Sequence, residues 1–260
     1  MTNTDYIEIN RIGWDRRVKT HIESTFYDVK GFLSGKTSLR EIELNELVDV
    51  AGRSMLHLQC HFGLDTLSWT RMGASCTGVD ISPVAIKQAK IFAQKTGLDA
   101  RFVCSDIYAF QRGAIDPYDI VFTSYGAVCW LPDLDQWAEV VLSNLAMGGQ
   151  FYMVEFHPLN DLLAGYSYFT TEIPDVMEEG TYTENGAETV TEFAIWAHPL
   201  ANVINALVRH GIQIEHLNEF PYSPYNCFEG MEERELGRFY LGHKGHDVPI
   251  VYSLMGRKIS

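Results

Sequence analysis

Residues 54–82 constrain the fold most, because they read as a strand, a turn, a helix and a second strand that ends in an acid. A short apolar run stops at the turn of residues 59–63, and a second run over residues 76–79 is closed by Asp80. In an open parallel sheet, such a turn holds the polar part of a nucleoside ligand, and the carboxylate accepts hydrogen bonds from its ribose hydroxyls. We therefore expect a domain that binds a nucleoside-containing cofactor.

The alternation of strand and helix patterns continues along the chain. Strands are predicted over residues 54–59, 76–80, 101–104, 119–123, 150–155, 212–220 and 250–257. Helices are predicted over residues 11–30, 39–50, 64–72, 83–96, 133–146 and 199–210. This order favours an α/β fold with a Rossmann-like, doubly wound, seven-stranded sheet that is mostly parallel and covered on both faces. The last two strands have no helix between them, which suits an antiparallel edge strand.

The rhythm of strands and helices breaks after Pro158, where the chain becomes rich in Tyr, Thr, Glu and Gly. We interpret this stretch as an inserted substrate cap within one domain that covers residues 1–260. The expected parts are an N-terminal helical lid (1–50), a cofactor-binding core (51–157), the cap insertion (158–197) and a C-terminal helix and strand pair (198–260).

Charge and composition narrow the class of substrate. The formal net charge is −14, with 46% hydrophobic residues. A surface this acidic repels phosphate backbones and anionic membranes, so a neutral or cationic small molecule fits better than nucleic acid or a membrane. The five cysteines form no CxxC pair and read as reduced thiols, and the sequence shows neither a leader pattern nor a membrane span. We expect a cytoplasmic location.

Further segments follow the first turn in a fixed order. They are Asp80, Cys104-Ser105-Asp106-Ile107, Tyr118–Phe122 followed by Ser124-Tyr125, Leu131-Pro132-Asp133, and Ala146–Phe151 with its Gly148-Gly149 turn. Together with the first turn, they resemble the class I S-adenosylmethionine-dependent methyltransferases over residues 50–157, and more weakly over residues 198–258. The resemblance implies S-adenosylmethionine as cofactor and methyl transfer to a small-molecule acceptor.

The first loop departs from the usual pattern of that family, which has an acid after the apolar strand and three glycines spaced by two. His57 replaces the acid, Gln59 and His61 replace two glycines, and Gly63 keeps the last one. The departures leave the backbone path around the methionine part of the cofactor open. The loop also resembles that of a bacterial subgroup with the sequence HLQCHFG, in which the departure is normal.

The resemblance implies a set of site residues. Those expected to bind the cofactor are Gln59, Cys60, His61, Gly63, Asp80, Ile81, Ser105, Asp106, Ile107, Ser124 and Tyr125. From their positions in the sequence, Trp14, Phe26 and Tyr27 either anchor the N-terminal helix or form a lid over the cofactor, and Trp130 either packs in the core or forms the wall of the substrate pocket, which His198 could join. Gly63 is expected to allow close approach of the backbone to the ligand.

His157 and Tyr125 are the catalytic candidates, because each follows a strand at the rim where ligands of such sheets bind. Methyl transfer from a sulfonium chiefly requires alignment of the reacting atoms, and a base is needed only if the acceptor arrives protonated. His157 would then be the base, since its ordinary pKa is near 6.5. Tyr125 would orient the acceptor.

Other readings remain open at this point. The departures at Gln59 and His61 are compatible with a non-catalytic S-adenosylmethionine-binding module, such as a sensor or partner protein. A nicotinamide enzyme fits less well because the turn has a single glycine, and a metal site is not expected, since His57 and His61 have helical spacing on a strand and turn.

The insertion carries an unbalanced set of acids, with no Lys or Arg among them. They are Asp161, Glu172, Asp175, Glu178, Glu179, Glu184, Glu188 and Glu192. An acidic cap would favour a cationic acceptor such as an amine, whereas a solvated acidic loop would favour none.

Overall fold

The computed structural model describes residues 1–113 and 115–259. The α-helices in these ranges are α1 (Asn3–Glu23), α2 (Val29–Leu33), α3 (Glu41–Glu46), α4 (Leu64–Arg71), α5 (Pro83–Thr96), α6 (Leu134–Asn144), α7 (Leu159–Leu163) and α8 (Leu200–Arg209). Short 3-10 helices span Ile107–Ala109 and Val128–Trp130.

The strands in the same ranges include seven that form the main sheet and several short ones. They are β1 (Ser54–Leu58), β2 (Ser75–Asp80), β3 (Arg101–Cys104), β4 (Tyr118–Thr123), β5 (Leu145–Phe156), β6 (Asp175–Glu179), β7 (Thr191–Ile195), β8 (Ile212–Phe220), β9 (Tyr222–Ser223), β10 (Glu232–Glu235), β11 (Arg238–Tyr240), β12 (Gly242–His243), β13 (His246–Asp247) and β14 (Val251–Lys258).

The main sheet has the strand order β3-β2-β1-β4-β5-β14-β8. β3, β2, β1, β4 and β5 pair in parallel, and β14 runs antiparallel to both of its neighbours. The predicted seven-stranded, mostly parallel sheet with antiparallel pairing at one edge is confirmed. The strand that reverses direction is β14, one position inside the edge strand β8.

Alternate residues of the central strands face opposite layers, which is why these strands read as continuous apolar runs. Leu56 and Val121 belong to a buried cluster with Trp137 of α6 and the apolar side of α8. Their neighbours Met55 and Ile120 belong to a second cluster, which contains a tryptophan of α4. Full burial of each such side chain stabilises the fold by about 1.5–3 kcal/mol. The carboxyl ends of β1, β2, β3 and β4 are left to meet at one rim.

The N-terminal helix is shifted relative to the predicted 11–30, since it begins at Asn3 and ends at Glu23, and a separate short helix begins at Val29. Thr2 and Asp5 form a capping box, in which the Thr2 N–H donates to Asp5 Oδ2 at 2.7 Å and the Asp5 N–H donates to Thr2 Oγ1 at 3.4 Å. The second predicted helix is shorter, covering Glu41–Glu46 of the predicted 39–50.

The insertion packs onto the N-terminal helix. β6 and β7 form an antiparallel hairpin. The Asn10 side chain of α1 pairs with Ala194 of β7 through two hydrogen bonds of 2.8 Å, one donated by Nδ2 and one accepted by Oδ1. Arg17 Nε donates to Thr191 Oγ1 at 3.1 Å. The first helix and the insertion therefore form one layer over the rim.

The segment between β8 and β14 holds small sheets that the sequence pattern does not predict. β9, β10 and β11 form a three-stranded sheet, and β12 and β13 form a hairpin. These strands have two to four residues each, too short for periodicity to show. Across the part of the chain that the structure describes, no helix has the length and apolar character needed to cross a membrane.

Candidate active site

A cavity of about 550 Å³ lies at the rim where β1, β2, β3 and β4 end. It is lined by residues that follow those strands and by the layer formed by α1 and the insertion. The cofactor and pocket candidates that line it are Gln59, Cys60, His61, Gly63, Asp80, Ile81, Asp106, Ile107, Ser124, Tyr125, Trp14, Phe26, Tyr27 and Trp130. The structure therefore brings most of the sequence-derived candidates together. The volume of the cavity is in the range of small-molecule sites.

The first loop keeps a glycine-like backbone although two of its glycines are replaced. Gln59 and His61 have φ values of 56° and 49°, in the left-handed region that favours glycine. Such a conformation costs a non-glycine residue about 1–2 kcal/mol. The Gln59 side chain donates from Nε2 to the Ala127 carbonyl at 2.8 Å, which ties the loop to the segment after β4.

Gly63 is required by packing inside the protein. Its φ is 78°, and a Cβ atom there would lie 2.6 Å from a ring carbon of Phe102 and 3.0 Å from Cβ of Ala89. The close approach is therefore to β3 and α5, which differs from the approach to the ligand that the sequence suggests.

Asp80 ends β2 with its carboxylate at the rim, only 8% exposed. One oxygen accepts a hydrogen bond from the backbone N–H of His61 and the other from that of Ser82, both at 2.8 Å. Burial raises the pKa of Asp80 to about 6, while the two backbone hydrogen bonds act in the opposite direction. Two oxygens with about four lone-pair directions can still accept bonds from a ligand.

The segment after β3 closes the same side of the cavity. Asp106 accepts a hydrogen bond from the Tyr108 N–H at 3.1 Å, so it caps the 3-10 helix and also lines the cavity. Burial raises the pKa of this carboxyl. Ser105 is not among the lining residues, and its hydroxyl donates to the Asp106 carbonyl at 2.8 Å. We therefore drop Ser105 from the set of direct ligand contacts.

His57, which stands where the family has an acid, is buried in a polar network beneath the loop. Its Nδ1 lies 2.9 Å from Thr66 Oγ1 and its Nε2 lies 3.3 Å from Ser124 Oγ. Burial lowers the pKa of His57 to about 3, so the ring is neutral. It connects β1, α4 and the end of β4 without adding a charge.

A polar cluster that the sequence analysis missed lies at the end of the cavity near β4. Arg40 lies over Tyr225, with its guanidinium carbon 4.6 Å from the ring centroid, and both residues line the cavity. Among the described residues, no carboxylate lies within 4.0 Å of the guanidinium nitrogens of Arg40, and its Nε atom has no hydrogen-bond partner. Such a cation fits an anionic group of a ligand.

Tyr125 is joined to a buried carboxylate. Its hydroxyl donates to Glu43 Oε2 at 2.8 Å, and the other oxygen of Glu43 accepts the Arg40 N–H at 2.6 Å. Burial raises the pKa of Glu43 to about 7. Glu43 does not line the cavity itself, so Tyr125 stands between it and the open space.

Aromatic side chains close the cavity on the lid side. Trp14 lies edge-on to both Trp130 and His61, with ring centroids 5.2 and 5.1 Å apart. Tyr27 hydrogen-bonds Tyr182 of the insertion through their hydroxyl groups. Both tyrosines line the cavity, and Tyr182 is a further residue that the sequence analysis missed.

A histidine pair lies beneath this aromatic layer. His21 Nδ1 lies 2.9 Å from His61 Nε2, and the other nitrogen of His21 lies 2.6 Å from Thr181 Oγ1. Burial lowers the pKa of both rings, that of His21 to about 3, so the pair is neutral. It therefore joins α1, the first loop and the insertion without a charge.

His157 and His198 lie outside the large cavity, which corrects the sequence-based expectation. His157 Nδ1 accepts the Leu159 N–H at 3.1 Å, and Nε2 lies 2.9 Å from Glu219. Both nitrogens are engaged, so the ring is not poised as a base for a reaction in the large cavity. His198 donates from Nε2 to the Leu131 carbonyl at 2.8 Å. Both histidines line a smaller cavity of about 160 Å³ next to the large one.

Most acids of the insertion face solvent. The exposed ones are Glu172, Asp175, Glu178, Glu179, Glu184, Glu188 and Glu192. They do not line either cavity, so as a group they lend no support to a cationic acceptor. Asp161 differs, since it is half-buried and lines the smaller cavity.

Comparison with known proteins identifies a methyltransferase domain in the chain. Residues 55–149 match the model of a methyltransferase domain. The ubiquinone biosynthesis O-methyltransferase of Xanthomonas euvesicatoria is 23% identical over 181 residues, which are 68% of this chain and 70% of that protein. The one from Pseudomonas entomophila is 24% identical over 207 residues, 76% of this chain and 83% of that protein.

Solved structures share the fold. An S-adenosylmethionine-dependent methyltransferase from Mesorhizobium loti has a TM-score of 0.58 at 20% identity, covering 87% of this chain and 100% of that one. The N-methyltransferase NodS from Bradyrhizobium japonicum, solved with S-adenosylhomocysteine, has a TM-score of 0.56 at 12% identity, covering 95% and 100%.

Fold, rim cavity and family model agree. The chain contains a methyltransferase domain over residues 55–149 and has the fold of the S-adenosylmethionine-dependent methyltransferases. It is therefore a methyl-transferring enzyme, and S-adenosylmethionine is its cofactor.

Proposed function

We propose that this enzyme methylates a small molecule inside the large cavity, between the first loop and the lid. The observation that carries the proposal is the cavity itself, which combines Asp80 and the first loop on one side with Tyr125 on the other. Its volume of about 550 Å³ suits a small molecule, and the net charge of −14 disfavours nucleic acid.

The cofactor site is built from polar groups that lack partners within the described chain. Gln59 Oε1, His61 Nδ1 and Arg40 Nε belong to lining residues and have none. Asp80 would accept the ribose hydroxyls, and Asp106 with Ile107 would hold the adenine. Arg40 would pair with the carboxylate of the methionine part. When bound, S-adenosylmethionine supplies a methyl group already activated by its sulfonium.

The chain's own part in the reaction is alignment and exclusion of water. Trp14, Trp130 and Tyr27 would enclose the sulfonium, and an aromatic face near a cation contributes about 0.5–2 kcal/mol. Holding the acceptor in line with the methyl group is worth about 7–11 kcal/mol. Tyr125 would orient the acceptor, with its hydroxyl fixed by Glu43.

The named relatives include an O-methyltransferase and an N-methyltransferase, so they leave the methylated atom open. The non-catalytic alternative gains no support, since the family model and these relatives are all methyltransferases.

The proposal is tested by measuring S-adenosylhomocysteine formation with panels of phenols, amines and carboxylic acids. We expect turnover with members of at least one panel, and loss of that turnover in Asp80→Ala. Turnover only with a protein or nucleic-acid acceptor, or turnover unaffected in Asp80→Ala, would contradict it.

A further inference from the structure

The smaller cavity has no role in the site described so far. It lies beside the large cavity, and four residues line both: Gly126, Cys129, Phe156 and Phe228. At about 160 Å³, it has room for about five water-sized groups, because a water molecule occupies about 30 Å³ in the liquid. A part of an acceptor, and not a whole cofactor, fits such a space.

Asp161 gives this cavity an available negative charge. It lies in the first turn of α7 and is half-buried, and in the ranges that the structure describes its carboxylate has neither a hydrogen bond nor an ion pair. Burial, reinforced by Asp175, raises the pKa of Asp161 to about 6, so the group is still ionised above neutral pH. A cationic or hydrogen-bond-donating ligand would stabilise such a half-buried, unpartnered carboxylate.

Two further polar side chains of this cavity, His198 and Glu155, offer acceptor atoms. His198, 8% exposed, donates from Nε2 to the Leu131 carbonyl. Its Nδ1 atom is thereby left as an acceptor, and it has no partner within the described chain. Glu155 is a second carboxylate of the lining, held by the backbone N–H groups of Ala127 and Val128 at 2.7 and 3.0 Å.

Nothing cationic offsets these groups, since no Lys or Arg is among the lining residues described. The wall also contains four aromatic side chains, those of Phe156, Trp196, Phe228 and Tyr252. Carboxylates next to aromatic faces form the usual environment for an ammonium group. The net charge of −14 adds a long-range attraction for cations.

We propose that the smaller cavity is a subsite for an amine, and that the acceptor of this enzyme carries an ammonium group that binds next to Asp161. This assignment rests on the proposed function, because it describes one end of the molecule methylated in the adjoining cavity. It differs from a general acidic cap, since seven of the eight acids of the insertion are exposed and only Asp161 lines a cavity.

The test compares n-propylamine, cationic near neutral pH, with 1-propanol, its neutral counterpart of the same length. Affinities are measured by ligand-observed NMR on the full chain, with and without S-adenosylhomocysteine. We expect the amine to bind about tenfold more tightly than the alcohol, the gain from one charge-assisted hydrogen bond. A crystal soaked in the amine should place its nitrogen within hydrogen-bond distance of Asp161.

Variants localise the effect. Asp161→Asn should remove the preference for the amine, whereas Glu172→Gln, an exposed acid of the same insertion, should keep it. Equal binding of amine and alcohol, no binding of either, or a preference that survives Asp161→Asn would overturn the assignment. Calorimetry with S-adenosylhomocysteine tests the proposed function separately from the amine subsite. Absence of binding would count against the proposed function, whereas the comparison of amine and alcohol could still be made without cofactor.

Discussion

The backbone N–H of His61 donates a 2.8 Å hydrogen bond to Asp80, so the first loop and the acid at the end of β2 form one unit. His61 reaches this position with a positive φ, where most members of the family have glycine. The second oxygen of Asp80 is fixed by the Ser82 N–H. Ser82 is in turn held by the lid helix, because its hydroxyl donates to Asp15 at 2.6 Å. Loop, acid and lid are thus connected through consecutive hydrogen bonds.

Gly63→Ala should destabilise the protein more than an ordinary glycine replacement. The new Cβ would meet Phe102 and Ala89, which adds an overpacking cost of about 1–3 kcal/mol to the backbone cost of a positive φ. Gly97→Ala is the matched control, since Gly97 has φ 66° and no atom near the site of a Cβ. Urea unfolding should show the difference, and equal losses in the two variants would refute the packing argument.

Tyr125→Phe should lower methyl transfer more than cofactor affinity, because Tyr125 lines the cavity and its hydroxyl holds Glu43. The loss of that hydrogen bond to a buried carboxylate should also cost about 1–3 kcal/mol of stability. Tyr152→Phe is the control, since Tyr152 donates to Glu46 at 2.8 Å in an equivalent pair away from the cavity. If both variants lost activity equally, the role of Tyr125 would be structural only.

Affinity for S-adenosylhomocysteine should fall as the pH is lowered through about 6, up to about tenfold per pH unit. The proposed hydrogen bonds from the ribose hydroxyls require the ionised form of Asp80, and the pKa of this carboxyl is raised to about 6 by burial. The effect of Asp80 ionisation on the stability of the fold has the opposite pH dependence. Because the folded pKa lies above the unfolded one, the stabilising contribution is present at low pH and is lost as the pH rises through about 6. Asp80→Asn should flatten the affinity profile, and a profile unchanged by that substitution would exclude Asp80 as its source.

Glu184→Gln should loosen the layer over the cavity. Glu184 accepts hydrogen bonds from the backbone N–H groups of Thr25 and Phe26, which fixes the insertion to the end of the lid helix. Hydrogen exchange at these amides should accelerate in the variant, and cofactor affinity should fall modestly. Glu188→Gln, at an exposed position without such bonds, should change neither; equal protection in both variants would argue against this connection.

The sequence predicts those parts of the site that directly follow strands. The first loop, Asp80, Asp106 and Tyr125 were all expected at the rim, because the carboxyl ends of parallel strands meet at one edge. These residues come together in one cavity because their strands are parallel neighbours in the sheet. The alternation of strands and helices indicates this parallel arrangement.

Contacts between distant segments are not predictable in this way. Arg40 reaches the cavity, and Glu43 reaches the Tyr125 hydroxyl behind it, because the chain between α2 and β1 folds back over the rim. Tyr182 comes from the insertion. None of these residues belongs to a periodic pattern or a motif. An arginine at the start of α3, where Ser, Thr or Asp is the usual cap, is the nearest sequence signal.

His157 shows how far the position of a residue at a strand end can be predicted from the sequence. Phe156 contacts Tyr125 with ring centroids 5.6 Å apart and lines both cavities, whereas the next residue, His157, lines only the smaller one. Successive side chains at the end of a strand point in opposite directions, so the rim was predicted correctly but the side was not.

The central claim is that the adenosyl cofactor lies across this rim with its ribose held by Asp80, and a calorimetric titration with S-adenosylhomocysteine tests it most directly. We expect saturable binding to the unmodified chain, weakened about tenfold or more in Asp80→Asn, since a hydrogen bond to a charged group contributes about 1.5–3 kcal/mol. Asp99→Asn, an exposed acid before β3 at the opposite edge of the sheet, should bind like the unmodified chain. No heat of binding with the unmodified chain, or equal affinities in the two variants, would contradict the claim.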